Sequence, residues 1–517
     1  ALNIKVSVIA KEPIEDNPWY KALPTTSRLL MLVRSVGFTY HNKQAMAVAG
    51  YMPMVGDAFG QKRDNGFLAP GLAFAFGLEG ESFIERARAN DWLLVNDSVA
   101  TPATVSFSDD LQLKMTLEPW KNFKIDLSAS RSQTKARSIQ YMYEGSPTTQ
   151  TGTVTMTTIS LGTAFDGTGN ANNGYHSRSF ERFCLSLPNY RERVQQQYAN
   201  STYPEGTAFP GQPYNPEYGQ VSQYSADVLI PAFLNTYTSM SGGGLSIFPA
   251  LTRLLPNWSI KFSGLSKLPW IRDVFKSVNL NHAYKSVYAV GSYSSFSTFR
   301  EYMDGLGFIT DAASGLPSPS SMYNISSVSL NEAFSPLIGL DFTFQNNMTL
   351  KVEYKSTRVL TLSTTSVQIN EASSRDWVIG WGYKWKNFRL FGGKNHRAVK
   401  NNKKKSEGDD DKQNNTQQKN NSSNNVKGQV NHDLNLRCDV SYRQQAAISR
   451  DIATMTSSAS SGNTAFKVAF TADYTLSKLM TLSFYYNLQK NMPLLSSNSY
   501  PTTTQDFGLS LKFSLKR

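Results

Sequence analysis

Leu111-Gln112-Leu113-Lys114-Met115-Thr116-Leu117-Glu118-Pro119-Trp120-Lys121-Asn122-Phe123-Lys124-Ile125-Asp126-Leu127-Ser128-Ala129-Ser130 is the stretch on which the fold class turns. Leu111, Leu113, Met115 and Leu117 alternate with Gln112, Lys114, Thr116 and Glu118. Pro119-Trp120-Lys121-Asn122 forms a tight connector, after which Phe123, Ile125, Leu127 and Ala129 alternate with Lys124, Asp126, Ser128 and Ser130. Successive strand side chains point to opposite faces, so a period of two gives each strand one apolar face and one polar face. Two such runs with a short connector predict a hairpin. The unit returns at Leu340, Phe342 and Phe344, turn Asn346-Asn347, then Leu350, Val352 and Tyr354. It returns again at Phe466, Val468 and Phe470, turn Leu476-Ser477-Lys478, then Met480, Leu482, Phe484 and Tyr486.

A soluble sandwich alternates as well. Two details favour lipid as the apolar side. Trp377, Ile379, Trp381, Tyr383 and Trp385 share one face of a single strand, opposite Val378, Gly380, Gly382 and Lys384. Three Trp side chains in a row are hard to fit in a thin sandwich core, but they suit the outside of a barrel, where rings sit at the membrane interface. The polar faces carry successive hydrophilic groups, such as Asn435, Arg437, Asp439, Ser441 and Arg443, which a watery lumen accepts. The expected fold class is therefore all-β: part of a large antiparallel transmembrane β-barrel, with a long partly helical insertion and a disordered linker.

The 517 residues contain no run of eighteen or more apolar residues, so no transmembrane helix is expected. Leu2, Ile4, Val6 and Val8 already alternate and no signal peptide is visible, which predicts a processed product or the later part of something longer. The net charge of +13 is spread through strands and one linker without a nucleic-acid motif. Anionic lipid headgroups and an ionic lumen account for it more simply. Cys184 and Cys438 form no CxxC. Cys438, among Leu434, Leu436, Val440 and Tyr442, reads as a small apolar strand residue, and a disulfide between the two remains open. The five histidines show no metal-ligand spacing, and no cofactor is expected.

The chain divides into barrel strands and loops over 1–164, an inserted element over 165–256, strands and loops over 257–392, a linker over 393–430 and final strands over 431–517. Early strands are expected at Val36, Phe38 and Tyr40, at Leu72, Phe74, Phe76 and Leu78, and at Val154, Met156 and Ile159. In the insertion the alternation stops. Two helices are expected, one near Tyr190 to Tyr198 and one starting at Ser225 as N-cap with Asp227 in its first turn. Val228, Ile230, Phe233 and Leu234 would form the apolar anchor of a cap, plug or docking element. Leu268, Ile271, Val274 and Phe275 have helical spacing, suited to the membrane interface or to packing under the rim. Residues 295–335 read as a long loop. The 393–430 linker, with Lys403-Lys404-Lys405 and Asp409-Asp410-Asp411, is expected to be disordered and periplasmic, and its triple Asp lacks the spaced oxygens of a calcium loop.

With short turns placed in the periplasm, the Asn346-Asn347 turn, the Ser477 turn and the C-terminus agree, with outer loops at 361–375 and 446–464. The count conflicts at 258–264. That segment must rise when counted from 119–122 and descend when counted back from 337. Either the insertion hides a strand or the segment does not span.

No enzyme motif is present: no GxSxG, HExxH or phosphate loop. Ser241-Gly242-Gly243-Gly244 reads as a turn, and His282 as an ordinary strand residue. The last strand carries Asp506, Gly508, Leu511 and Phe513, a polar-x-Gly-x-x-apolar-x-aromatic pattern. This resembles the signal by which outer-membrane barrels are recognised for assembly, although Ser514-Leu515-Lys516-Arg517 trail beyond it.

Leu255-Pro256-Asn257-Trp258, Ser263-Gly264-Leu265-Ser266-Lys267-Leu268-Pro269, Phe275-Lys276-Ser277 and Asn281-His282-Ala283-Tyr284 resemble blocks of the SprA/Sov family, the giant outer-membrane translocons of the Bacteroidota type 9 secretion system. Ser225-Ala226-Asp227-Val228-Leu229-Ile230-Pro231-Ala232-Phe233 and Leu117-Glu118-Pro119 with Leu127-Ser128-Ala129-Ser130-Arg131 resemble further blocks, in the family's order. The resemblance is to the C-terminal portion of those longer proteins. It implies an outer-membrane, protein-conducting barrel, gliding motility as a setting, and a periplasmic C-terminus. The partners it implies are the remainder of the same barrel, a PorV-like shuttle barrel, a periplasmic plug protein, secreted cargo, and membrane lipids and lipopolysaccharide, with no nucleic acid. A self-contained porin or solute transporter and a soluble surface adhesin are the alternatives. Roughly fifteen candidate strands is an awkward count for a self-contained barrel, which normally has an even number.

Overall fold

The computed structural model describes residues 32–514 apart from 57–58, 65–66, 81, 95–100, 142–147, 239–243, 304, 387, 389–431, 478 and 496–499. The 393–430 linker and the alternation at Leu2 to Val8 therefore lie outside the described residues. The strands are β1 (Val33–Ala47), β2 (Lys62–Asp64), β3 (Phe67–Ala69), β4 (Ala103–Trp120), β5 (Phe123–Ile139), β6 (Thr149–Thr157), β7 (Asn257–Phe262), β8 (Phe275–Ser295) and β9 (Arg300–Met303). They continue as β10 (Leu306–Thr310), β11 (Pro317–Ser321), β12 (Tyr323–Phe344), β13 (Met348–Ser363), β14 (Gln368–Trp385), β15 (Leu434–Asp451), β16 (Thr456–Ser477), β17 (Met480–Pro493) and β18 (Thr502–Phe513). The chain is all-β in class. One 13-stranded antiparallel sheet dominates, in the order β1-β4-β5-β6-β8-β12-β13-β14-β15-β16-β17-β18, with β7 pairing β5 and β8.

β6 and β7 are two pieces of one strand position. β6 pairs the upper part of β5 (Arg131↔Met156) and of β8 (Val154↔Val290). β7 pairs the lower part of the same two strands (Leu127↔Trp258, Trp258↔Tyr284). The chain leaves the wall at mid-height after Thr157 and returns at Asn257. This resolves the conflict at 258–264: the segment descends, but it does not span by itself. With β7 off the path, the wall has twelve positions among the described residues. An odd number of strands therefore no longer argues against a self-contained barrel. Among the described residues, β1 pairs only β4 and β18 pairs only β17.

Register carries a single face across the whole wall. From β13 to β15 it runs without a bulge: Tyr354↔Trp377↔Tyr442, Val352↔Ile379↔Val440 and Leu350↔Trp381↔Cys438. Beyond them lie Phe466, Val468 and Phe470, then Tyr486 and Phe484, then Phe507 and Leu509. In the other direction the face passes through Leu340 and Phe342, Leu280, Ile260, Ile125 and Leu127, and Met115 to Phe38 and Tyr40.

Several expected boundaries change. The outer loops at 361–375 and 446–464 are strand, closed by tight turns over 364–367 and 452–455. Stretches such as Ser457 to Thr464 show no alternation because both faces there are small or polar. Alternation is imposed only where one face meets an apolar medium. The 295–335 loop contains the small sheet β11-β10-β9 and the start of β12. Leu72 to Leu78 is not a strand but a helical turn, Leu72–Ala75, set between Gly71 (φ 107°) and Gly77 (φ 68°). Its alternate residues are small rather than polar, so the period was ambiguous.

Candidate functional site: an apolar belt and a covered upper wall

The lower half of the common face is bare. On β14 to β17 it runs for roughly nine residues per strand, the length a tilted strand needs to cross a bilayer. The expected lipid- or partner-facing residues Trp377, Ile379, Trp381, Tyr383 and Trp385 all lie on it, with Trp377 47% and Trp385 50% exposed. Aromatic rings bound it at both heights. The lower row includes Trp120 stacked on Phe123 (4.6 Å), Phe275 on Phe344 (4.6 Å) and Tyr383 beside Trp385 (6.0 Å). The upper row includes Trp258 on Tyr284 (4.5 Å), Tyr284 beside Phe334 (4.9 Å) and Tyr354 on Trp377 (4.5 Å). From Trp377 to Trp385 is about 27 Å along the strand, or about 20 Å in height at a tilt of ~40°. That approaches the ~25 Å apolar band of a membrane barrel. Between β7 and β8 the expected amphipathic stretch forms a short helix, Pro269–Arg272. Only Ile271 is buried, and Trp270, Leu268 and Val274 project outward at the lower rim.

The opposite face is polar and concave. A trough of about 700 Å³ crosses it over Lys43, Ser108, Thr134, Thr153, Ser294 and Asn324. A second, of about 480 Å³, lies over Thr357, Ser374, Gln445 and Asn463. Lower down, Glu353 pairs with Lys351 (2.9 Å) and Lys355 (3.1 Å), and Arg443 with Asp376 (2.9 Å). Paired charges on a hydrated concave surface fit a water-filled interior.

The upper half of the apolar face is covered. The described residues of 158–256 fold over it, led by the helices Arg178–Gln197 and Ala226–Tyr237. They share one core with Val154, Met156, Tyr288, Val290, Val328, Leu330, Leu360, Leu362 and Ile369 of the wall. The expected anchor residues Val228, Ile230, Phe233 and Leu234 are all buried, among eight buried residues of the twelve in their helix. Buried in the core shared with the wall, these four side chains hold the insertion together. The first helix spans far more than Tyr190 to Tyr198. Ser225 sits at the expected N-cap position, but its side chain makes no capping hydrogen bond. Asp227 instead accepts from the Ser321 backbone N–H at 2.9 Å, and burial pushes its carboxyl above the ordinary range.

Two arginines on the wall fasten the insertion. Arg450, fully buried, donates from Nε and Nη2 to Glu371 Oε2 at 2.9 and 2.6 Å. It also reaches the Tyr175 and Thr168 carbonyls at 2.5 and 3.2 Å, with Phe180 under its guanidinium. Arg358 pairs with Glu332 at 3.1 Å and donates to the Thr163 carbonyl and hydroxyl at 2.6 and 2.8 Å. Glu332 also accepts from Ser160 Oγ (2.6 Å) and Tyr284 OH (2.9 Å). These four charges were not singled out from sequence. Their signal is a lone charge on an otherwise apolar parity, as with Glu332 between Leu330 and Phe334. The pairing needs a register that sequence does not supply.

Asp506, Gly508, Leu511 and Phe513 lie on β18, at the edge of the sheet. Gly508 has a physical reason. The Tyr485 ring lies across it, and a Cβ there would sit 2.5 Å from the Tyr485 hydroxyl. Leu511 and Phe513 are exposed on the belt face, and Asp506 and Gly508 lie on the polar face. Cys184 and Cys438 are not bonded: one is buried in the insertion and the other lies on β15. His282 rests its Nδ1 against the Leu337 carbonyl at 2.6 Å, an ordinary strand contact. Among the described residues no group of three or more His, Cys, Asp or Glu could hold a metal.

No family model matches the chain, and no curated protein matches it. Among solved structures it is similar to the β domain of the Bordetella autotransporter BrkA at 7% identity and a TM-score of 0.20, over 80% of this chain and 92% of that one. The fold assignment rests on strand pairing and not on this likeness.

Proposed function

We propose that this chain forms part of the wall of a protein-conducting pore in the outer membrane of a Gram-negative bacterium. The observation that carries the membrane reading is the apolar belt between two aromatic rows on the convex side of a sheet whose concave side is polar and ion-paired. That arrangement suits lipid outside and water inside. Among the described residues β1 and β18 each have one neighbour in the sheet. In lipid every backbone donor and acceptor needs a partner, so β1 and β18 must each pair with another strand.

The residue blocks that resemble the SprA/Sov family make the type 9 secretion translocon the specific proposal. The remainder of the barrel, a PorV-like shuttle, a periplasmic plug, secreted cargo and lipopolysaccharide are its partners, and the C-terminus is periplasmic. The test is an image of the particle purified from its own membrane, together with export measured after depletion of the protein. A wall continuing past β1 and β18, and arrested export of secreted proteins, would support the proposal. β1 paired directly to β18 in a closed twelve-position barrel, with export unaffected, would establish the porin reading instead.

A further inference from the structure

The position of the insertion has a consequence for what it touches. The face it covers at Leu360, Leu362, Ile369 and Glu371 is, by unbroken register along β13 and β14, the face that carries Trp377, Ile379 and Trp381. Both troughs open on the other face. The insertion is therefore on the convex side of the wall, directly above the belt, and not in the concavity. Its height is fixed by contacts. It leaves the wall where the Thr158 backbone N–H donates to the Ser286 carbonyl (3.0 Å) and the Ser160 N–H to Tyr284 OH (2.8 Å). Phe165 then stacks on Phe334 at 5.4 Å, within the upper aromatic row.

At this level the insertion exposes apolar side chains that a watery surface would disfavour. Phe165 is 66% exposed and Leu161 38%. Two exposed cations lie on the same face of the wall, farther along the sheet. Arg375 is one alternation above Trp377, and Lys490 is paired across from Phe466. Aromatic and aliphatic groups with Arg and Lys at neighbouring register positions of one face match the chemistry of the boundary between acyl chains and phosphate-bearing headgroups.

We propose that the 158–256 insertion is an external collar resting on the outer leaflet, with Leu161 and Phe165 dipped into the headgroup boundary and Arg375 and Lys490 facing lipid phosphates. The inference rests on the belt being lipid-facing. It replaces a cap over the lumen with a footing on the membrane, which holds the wall's height in the bilayer.

Single cysteines at Leu161, Phe165, Ile379 and Glu217, in a chain with Cys184→Ala and Cys438→Ala, would each carry a nitroxide. The chain would be reconstituted in phosphatidylcholine–phosphatidylglycerol bilayers. Collision with oxygen, which concentrates in lipid, is compared with collision with a water-soluble nickel chelate. The proposal expects Ile379 to be deep, Leu161 and Phe165 to be shallow but lipid-accessible, and Glu217 to be aqueous. A deep Ile379 with Leu161 and Phe165 as aqueous as Glu217 overturns the collar and leaves the membrane reading standing. An aqueous Ile379 overturns both. Two labels at one height keep the result independent of whether losing the Phe165–Phe334 stack disturbs its own site.

Discussion

The lower and upper halves of one sheet face differ in what covers them, and the difference shows in which residues the face tolerates. From the upper aromatic row downward, β14 presents Trp377, Ile379, Trp381 and Tyr383 with no charge among them. Above it, the same parity presents Glu371, and its neighbours present Arg358 and Arg450. A charge facing lipid has no partner, whereas a charge facing folded protein can be met by an opposite charge and by carbonyls. The upper half is a protein core assembled against the sheet, and the lower half is bare, with the bilayer as its partner in the proposed reading.

The largest expected effect comes from unbalancing the covered half. Arg450→Ala leaves Glu371 buried without its partner and should cost about 3–5 kcal/mol. The loss should appear as hydrogen exchange and protease cleavage across 158–256 while the lower strands stay protected. Equal protection in both halves would mean that the guanidinium does not fasten the insertion. The converse change places a charge in the bare half. Trp381→Arg should cost about 2–4 kcal/mol near the bilayer midplane. An unchanged assembly yield and heat stability would remove the belt from contact with lipid.

A pH effect distinguishes the halves more gently. Burial raises the Asp227 carboxyl above its ordinary 3.8. A raised pKa means the folded insertion holds its proton more tightly than the unfolded chain does. Its contribution is fully present below 3.8 and is lost as pH rises through the raised value. Asp227→Asn keeps an acceptor for the Ser321 N–H and removes the charge, so the variant's insertion should resist proteolysis better than the wild type at alkaline pH and about equally at acid pH. A variant that is weaker than the wild type at alkaline pH and equal to it at acid pH would show that the carboxylate is needed as a charge. The smallest effect is chemical. Burial lifts the Cys184 thiol to about 12, so it should resist maleimide until the insertion unfolds. Labelling at the same rate as a free thiol in the folded protein would contradict the packing of the Arg178–Gln197 helix.

How much of this was legible depends on the medium each residue meets. The belt could be read because one apolar and one polar face impose strict alternation, and Leu111 to Ser130 and Trp377 to Trp385 obey it. The upper strands could not, because Ser457 to Thr464 has water-compatible residues on both faces and Ile448 and Arg450 share one parity. The division of one strand position into β6 and β7 left only a contradiction in counting, since six residues of β7 look like any short strand. The anchor at Val228 to Leu234 was visible as an apolar cluster, but its direction was not. Which face it covers is set by Leu360, Leu362 and Ile369, more than a hundred residues away. The Glu332–Arg358 and Glu371–Arg450 pairs became visible only through cross-strand register.

The central claim is that one face of this wall meets lipid and the other meets water. The most direct measurement is a nitroxide scan of consecutive positions from Asp376 to Tyr383 on β14 in bilayers, comparing oxygen with a nickel chelate at each. The account predicts a period of two, with 377, 379, 381 and 383 favouring oxygen and 376, 378, 380 and 382 favouring nickel. The opposite phase, or no alternation at all, would contradict it.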